Sequence, residues 1–151
     1  MPNTSTDALE ARLARLEDER AIARTMYEYA SAIDYGDRAL FLDCFTEDAD
    51  WRVTKRFDPD KGVHVHGHEE LGKFFDWHTH APDAYHKHIT INSLIDCDGD
   101  TARATSYTIR VDSLEVGPAI IYASSRYVDE FVRGADGRWR FRSRTSETEN
   151  M

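Results

Sequence analysis

Cysteine is scarce in this chain, with only Cys44 and Cys97 among 151 residues. The two cysteines form neither a C-x-x-C pair nor a zinc-ligand spacing, so the sequence indicates no disulfide framework and fits a reducing compartment. No segment approaches the roughly 18 apolar residues of a membrane span, and the start of the chain lacks a basic region followed by an apolar stretch. We therefore expect a cytoplasmic protein without membrane association.

Basic residues are also in short supply, at 19 Lys and Arg against 28 Asp and Glu, which gives a net charge of -9. This balance opposes binding to phosphate backbones, so we expect no nucleic-acid partner. The chain carries no G-x-G-x-x-G sequence, no P-loop and no catalytic Ser or Cys motif. We accordingly expect a small-molecule substrate and no cofactor.

The length fits one domain, which we place at residues 1–151 with an ordered core of about 7–147. Apolar residues at helical spacing predict a long first helix over residues 7–34, where Gly36 follows as a C-cap. Two shorter helices are predicted at residues 38–45 and 69–80.

Alternating apolar and polar residues predict the strands. They are expected at residues 49–54, 63–66, 86–97, 101–114, 119–133 and 138–148, with a loop at 56–62 and turns at 98–100, 116–118 and 134–137. Helices followed by strands predict an α+β fold, a cone-shaped, curved, mixed and mostly antiparallel sheet wrapped around the long N-terminal helix and two shorter ones.

All seven histidines lie between His64 and His88. In a strand, His86 and His88 project to the same face. Asp34 ends the first helix on its buried side, four residues after Ala30, and a buried carboxylate is costly unless it is paired. A carboxylate that faces an imidazole is the apparatus of a general base.

Five segments, in a consistent order, resemble the SnoaL-like branch of the nuclear transport factor 2-like superfamily. They are residues 32–37, 45–51, 88–92, 98–102 and 137–141, and the similarity spans about residues 10–146. The resemblance implies a cystatin-like α+β barrel. Members include scytalone dehydratase, bile-acid 7α-dehydratase, hexachlorocyclohexane dehydrochlorinase, ketosteroid isomerase and polyketide cyclases, and many members are not enzymes.

The dehydratase and dehydrochlorinase group pairs an aspartate at the end of the first helix with a histidine at the start of the third strand. By resemblance these are Asp34 and His88, which stands four residues before Asn92. Asp34 would orient the imidazole, and the other ring nitrogen of His88 would act as base. If the strand register is slipped, His86, which projects to the same face two residues earlier, becomes the base.

Five residues are candidates for substrate contacts. Trp51 matches a position where the dehydratase group places an aromatic ring in the pocket, and Arg144 is suited to hold a carboxylate or carbonyl. The full set is Tyr29, Trp51, His86, Tyr107 and Arg144.

A metal site is the alternative use of the histidines. His64 and His66 with Glu70 resemble part of a cupin ligand set. A helix beginning near Glu69 would turn Glu70 away from the strand, and the third histidine of that set is missing. We expect no metal, and we expect His78 and His80 to be solvated at a helix end.

These observations predict a cofactor-independent, dehydratase-like lyase that acts on a small cyclic or polycyclic carbonyl-bearing molecule. A ketosteroid-isomerase-like double-bond isomerase or polyketide cyclase is the enzymatic alternative. A non-catalytic ligand-binding protein or a small dioxygenase-type subunit is the alternative from another class.

The predicted strand at 86–97 also carries an apolar row that alternates with its histidines. If His88 faces the cone, the opposite face of the sheet presents Lys87, Ile89, Ile91, Ile95 and Cys97. Such a face requires a partner, so we expect a homo-oligomer, with a trimer favoured over a dimer.

Overall fold

The computed structural model describes residues 4–55, 58–112 and 117–149. Within these ranges the helices are α1 (Thr4–Tyr35), α2 (Arg38–Asp43) and α3 (Gly67–His78). The strands are β1 (Phe45–Lys55), β2 (Asp58–His66), β3 (His86–Asp98), β4 (Thr101–Asp112), β5 (Ile120–Arg133) and β6 (Trp139–Thr148).

The strands form a single six-stranded sheet in the order β2-β1-β6-β5-β4-β3. Strands β1 and β6 run parallel, and the other neighbouring pairs are antiparallel. The predicted α+β class with a curved, mixed and mostly antiparallel sheet is confirmed. The helices pack on one face of this sheet, where Ile22, Met26 and Ile33 of α1 meet Phe45 and Phe141 of the strands in the core.

Helix α1 is longer than the core that it crosses. It begins at Thr4, and its leucines Leu9, Leu13 and Leu16 are exposed, whereas the apolar residues from Ile22 onward are buried. The expected apolar stripe therefore faces the core only over the second half of the helix. None of the helices in the described ranges combines the length and the apolar character that crossing a bilayer requires.

Glycine ends α1 as predicted. Gly36 has a φ of 85°, and the backbone N–H groups of Gly36 and Asp37 both donate to the carbonyl oxygen of Ala32, at 2.9 and 3.0 Å. Because the left-handed backbone of Gly36 turns the chain immediately, Asp34 stays in the last helical turn. Its side chain is thereby aimed at the sheet rather than along the helix axis.

The predicted loop at residues 56–62 is wrong over most of its length. Strand β2 begins at Asp58 and pairs with β1, with Val63 opposite Val53. Pro59 and Gly62 suggested a loop, but β2 is an edge strand, where a missing N–H is tolerated. Residues 56 and 57, the end of the predicted strand at 101–114 and the start of the predicted turn at 116–118 lie outside the described residues.

A bulge divides β3 into two halves of opposite phase. Asn92 has a φ of 53°, and the pairing with β4 shifts between Ile91 and Leu94. Before the bulge His88 faces the helices, and after it Ile95 and Cys97 face the core while Leu94 is 71% exposed. The expectation that Ile95 and Cys97 point outward is therefore wrong, because the extra residue reverses the alternation.

Candidate active site

The end of α1 meets the start of β3 through one carboxylate. Oδ1 of Asp34 lies 2.6 Å from Nδ1 of His88, and Oδ2 accepts the backbone N–H of His88 at 2.9 Å. Asp34 is only 4% exposed, so both oxygens are used by the same residue away from bulk water. The two interactions together fix the position and the ring plane of His88.

This pairing determines which nitrogen of His88 is available. An ionised carboxylate only accepts hydrogen bonds, so the ring proton is assigned to Nδ1 and the lone pair to Nε2. His88 lines a cavity of about 590 Å³. The site can therefore present a basic nitrogen to a bound molecule while the buried carboxylate stabilises the imidazolium that forms.

Aromatic side chains form much of the cavity wall. The Trp51 ring stacks on Phe74 with centroids 4.2 Å apart, and its indole N–H donates to the Tyr29 hydroxyl at 3.3 Å. Tyr29 and Trp51 both line the cavity, as do Tyr122 and Tyr127. Burial raises the pKa of Tyr29 above its ordinary value, so its hydroxyl keeps its proton.

His86 lies behind His88 instead of on the cavity wall. It is 5% exposed, and its Nε2 is 3.6 Å from Oδ1 of Asp34, too far for a hydrogen bond. Burial, together with the neighbouring His88, lowers the pKa of His86 to about 4. Of the two histidines on this face, His88 is the one that combines a bonded carboxylate with access to the cavity.

His78 belongs to the same cluster, so the expectation that it is solvated is wrong. Its ring lies 4.8 Å from that of His86 and 5.5 Å from that of His88, between centroids. Burial, with His88 and His86 nearby, lowers the pKa of His78 to about 2. The hydroxyl of Thr79 donates to the carbonyl oxygen of Ile33 at 3.0 Å, which ties the end of α3 to the end of α1.

Arg110 is a site residue that sequence reasoning missed. It lies directly opposite His88 in the β3–β4 pairing and lines the cavity. Asp112 holds its guanidinium through two hydrogen bonds of 2.8 and 3.1 Å, and the guanidinium lies 4.6 Å from the Tyr122 ring centroid. Residues that stand opposite each other on paired strands contact one another, so the pairing of β3 with β4 would place Arg110 beside His88. The register of that pairing has to be known first.

Two more predicted substrate contacts, in addition to His86, lie away from the cavity wall. Arg144 is fully buried and bonds Asp129 at 2.9 and 2.8 Å, behind the rings of Tyr29 and Tyr127. Tyr107 is 55% exposed on the outer face of the sheet, because the inward positions of β4 there are its even-numbered ones. We retain neither of them as a binding residue.

The histidines of β2 form a separate surface pair. Nε2 of His64 and Nδ1 of His66 lie 2.5 and 3.3 Å from Oδ1 of Asp50, and the hydrogen bond from His64 holds the pKa of Asp50 below its ordinary value. Glu70 accepts the backbone N–H of His66 at 2.8 Å rather than facing the rings. This exposed group is distinct from the cluster at Asp34.

Residues 14–145 match the family model of the SnoaL-like domain. The chain belongs to the SnoaL-like family. The match confirms the resemblance on which the fold expectation depended, and the Asp34–His88 pair lies within it. A search of curated proteins finds no match for this SnoaL-like chain.

Solved structures share the SnoaL-like fold over nearly the whole chain. An NTF2-like protein with a cystatin-like fold from Novosphingobium aromaticivorans has a TM-score of 0.81 at 21% identity, covering 99% of this chain and 92% of its own. A scytalone dehydratase-like protein from the same organism has a TM-score of 0.71 at 24% identity, with coverage of 89% and 85%.

A dioxygenase-like beta subunit from that organism has a TM-score of 0.77 at 19% identity, covering 92% of this chain and 93% of its own. These three identities are all below 25%, so the likeness establishes the fold and leaves the activity to be argued from the site.

Proposed function

We propose that this SnoaL-like protein is a cofactor-independent lyase that eliminates water from a small cyclic or polycyclic carbonyl-bearing molecule. The observation that carries the proposal is the 2.6 Å contact of Asp34 with His88, whose ring reaches the cavity. A cavity of about 590 Å³ falls within the range of small-molecule sites.

The proposed reaction begins with proton transfer from carbon. Nε2 of His88 removes a proton from the carbon next to the carbonyl, and the electron pair of that C–H bond moves toward the carbonyl oxygen as an enolate. The pair then returns to form a carbon–carbon double bond, and hydroxide leaves from the adjacent carbon. The imidazolium of His88 gives its proton to that hydroxide, so water and an unsaturated carbonyl compound are released.

The negative charge on the enolate oxygen requires a stabilising group. Arg110 is the cation nearest in the strand register to His88, and Asp112 holds its guanidinium in place before substrate arrives. A cation that is held in place before the reaction stabilises a developing negative charge better than a mobile cation in bulk water. We assign Arg110 the role of binding the carbonyl oxygen.

Deuterium exchange tests the first step whatever the leaving group is. A panel of cyclic ketones with a hydroxyl on the β carbon is incubated in D₂O, and NMR follows exchange at the α carbon while mass spectrometry follows loss of water. We expect His88→Gln and Asp34→Asn to slow exchange by about 100-fold or more, because a positioned base contributes about 10²–10⁴-fold. The exposed His80 supplies the control, His80→Gln, which should leave the rate unchanged.

Two alternatives predict different results in the same assay. A double-bond isomerase or cyclase would use the same base and give exchange without loss of water. A ligand-binding protein or dioxygenase-type subunit, which the likeness to the dioxygenase-like beta subunit favours, would bind panel compounds without accelerating exchange. Exchange that persists in His88→Gln would contradict the assigned base.

A further inference from the structure

Three imidazoles lie together at one side of the cavity, His78 and His88 on its wall and His86 behind them, and the proposed lyase reaction uses only His88. His78, His86 and His88 each offer a ring nitrogen within 4.8 Å of the others. His78 is the last residue of α3, and His86 and His88 lie at the start of β3. The end of α1 holds the two elements together, because Ile33 accepts a hydrogen bond from Thr79 and Asp34 accepts two from His88. The cluster is therefore built by the fold and not by a local sequence motif.

Two nitrogen atoms of this cluster have no hydrogen-bond partner among the described residues, Nδ1 of His78 and Nε2 of His86. Both atoms are buried, and an unsatisfied buried polar atom costs about 1–3 kcal/mol. Native structures rarely leave such groups unpaired without a bound ion or water. We propose that His78, His86 and His88 bind a divalent transition metal ion of the Zn²⁺ type through one nitrogen each.

The hydrogen bonds around the cluster indicate what metal binding requires of each ring. Nδ1 of His88 donates to Asp34, which leaves the lone pair of Nε2 for the metal. Nδ1 of His78 can bind the metal only when the ring proton is on Nε2, so the Arg110 guanidinium, 3.4 Å from that nitrogen, must turn away when the metal binds. Asp34 then stands behind His88 in the carboxylate–histidine–metal arrangement that orients ligands in zinc sites.

The spacing of the rings is wide but adjustable. Zn–N bonds of about 2.0–2.1 Å in a tetrahedral site put ligand nitrogens about 3.3 Å apart, so the rings must approach by up to about 1.5 Å. Metal binding therefore requires the three imidazoles to rotate toward one another. Three protein ligands leave a fourth position open toward the cavity, as in catalytic zinc sites.

Charged groups around the cluster make it more favourable for a cation than three neutral imidazoles would be on their own. Two carboxylates, Asp34 and Asp112, lie next to the cluster, and Arg110 is the one guanidinium that contacts it among the described residues. Because Asp112 already pairs with Arg110, the charge of Asp34 remains to balance a dication. Metal on His88 would occupy the lone pair that the proposed base needs, so the two states of His88 exclude each other.

Calorimetric titration of the full chain with Zn²⁺, after treatment with a chelator and dialysis, tests the site. We expect one equivalent of Zn²⁺ to bind with a micromolar or tighter dissociation constant, and Co²⁺ to give visible absorption bands. His86→Gln and His78→Gln should weaken binding at least about tenfold, and Asp34→Asn should weaken it by about 10–100-fold. The matched control removes the exposed pair, His64→Gln with His66→Gln, and should leave the dissociation constant unchanged.

A second measurement on the wild-type chain does not depend on how the variants fold. Addition of Zn²⁺ should shift the ring NMR signals of His78, His86 and His88 and leave those of His80 in place. The proposal is overturned if the wild type binds no Zn²⁺ at micromolar concentration. It is also overturned if the double variant His64→Gln with His66→Gln loses binding while His86→Gln retains it. Deuterium exchange measured in chelator tests the lyase separately, so failure of one proposal is distinguishable from failure of the other.

Discussion

Asp34 makes the two hydrogen bonds that hold His88 in the site. It is a buried carboxylate that accepts from both the ring and the backbone of His88, and a buried charge is tolerated only when it is paired in this way. Its removal affects the fold as well as the chemistry, since it leaves a strand N–H and a ring N–H without acceptors.

Asp34→Ala should therefore lower the free energy of unfolding by about 2 kcal/mol. Asp76→Ala is the matched control, because Asp76 is an exposed partner of Arg38, and a surface ion pair contributes about 1 kcal/mol or less. Urea denaturation followed by circular dichroism measures both. Equal losses in the two variants would show that the Asp34 contacts contribute no more to stability than a surface pair.

Acid should destabilise the metal-free protein through His86. Burial is the main reason why the pKa of His86 is about 4 in the folded protein, against about 6.5 in the unfolded chain. Between these pH values the unfolded chain binds a proton at His86 and the folded protein does not, so protonation favours unfolding. His86 therefore costs no stability above pH 6.5, and the free energy of unfolding decreases as the pH falls from 6.5 toward 4. The loss between pH 7.5 and 5 should be about 2 kcal/mol from this residue.

Urea denaturation in chelator at these two pH values measures the effect, and His86→Gln should reduce its size. The titratable and charged groups near His86 are His88 on the same strand, Asp34 from α1, and Arg110 and Asp112 from β4. His78 from α3 adds a loss of the same sign. A pH dependence that is the same in wild type and His86→Gln would contradict the assignment.

At the residue scale, the Asp34–His88 pair could be predicted from the sequence, whereas the neighbouring positions of His78 and Arg110 could not. Helix periodicity and strand alternation each put one member on an inward face, and the family resemblance joined them. His78 and Arg110 depend on where α3 ends and on the β3–β4 register, which are tertiary facts that no local pattern encodes.

The bulge in β3 decides which half of that strand serves the site. Asn92 occupies a left-handed conformation that asparagine tolerates better than most residues, and the pairing shift beside it reverses the facing of the strand. Strand alternation read from the sequence continues through such a point unchanged. Alternation therefore predicts the outward direction of Ile89 correctly and misses the inward direction of Ile95.

Asn92→Val should destabilise the protein by about 1–2 kcal/mol, because a β-branched residue is strained at positive φ. Asn92→Gly is the control at the same position and should cost much less, since glycine adopts this conformation without a side-chain clash. Thermal or urea unfolding distinguishes the two. Equal costs would indicate that the side-chain contacts of Asn92, rather than its backbone conformation, are what matters.

On the scale of the whole molecule, the outer face of the sheet remains apolar where β3 and β4 pair. Ile91 stands opposite Tyr107, and Ile89 and Leu94 extend the same exposed face. Contiguous exposed apolar surface is typical of protein interfaces. We therefore propose that the protein is a homo-oligomer, with a trimer favoured over a dimer. The apolar row at its interface includes Leu94 and no longer includes Ile95 and Cys97, which face the core.

Ile91→Asp should dissociate this assembly into monomers, because it places a charge at the centre of the apolar row. Ile91→Val keeps the apolar character and should leave the assembly intact. Light scattering at micromolar concentration measures the mass of each. A monomeric wild type would remove the proposed interface and would leave the Asp34–His88 geometry unaffected.

The Arg144–Asp129 ion pair has a consequence for how this protein can be re-engineered. The pair lies behind Tyr29 and Tyr127 at the inner end of the cavity and is fully buried. Shortening either ring to lengthen the cavity would bring a desolvated charge pair into contact with the ligand, which is energetically costly. Libraries that aim at larger substrates should therefore vary the exposed cavity residues Val63 and Trp77 and leave the inner end unchanged.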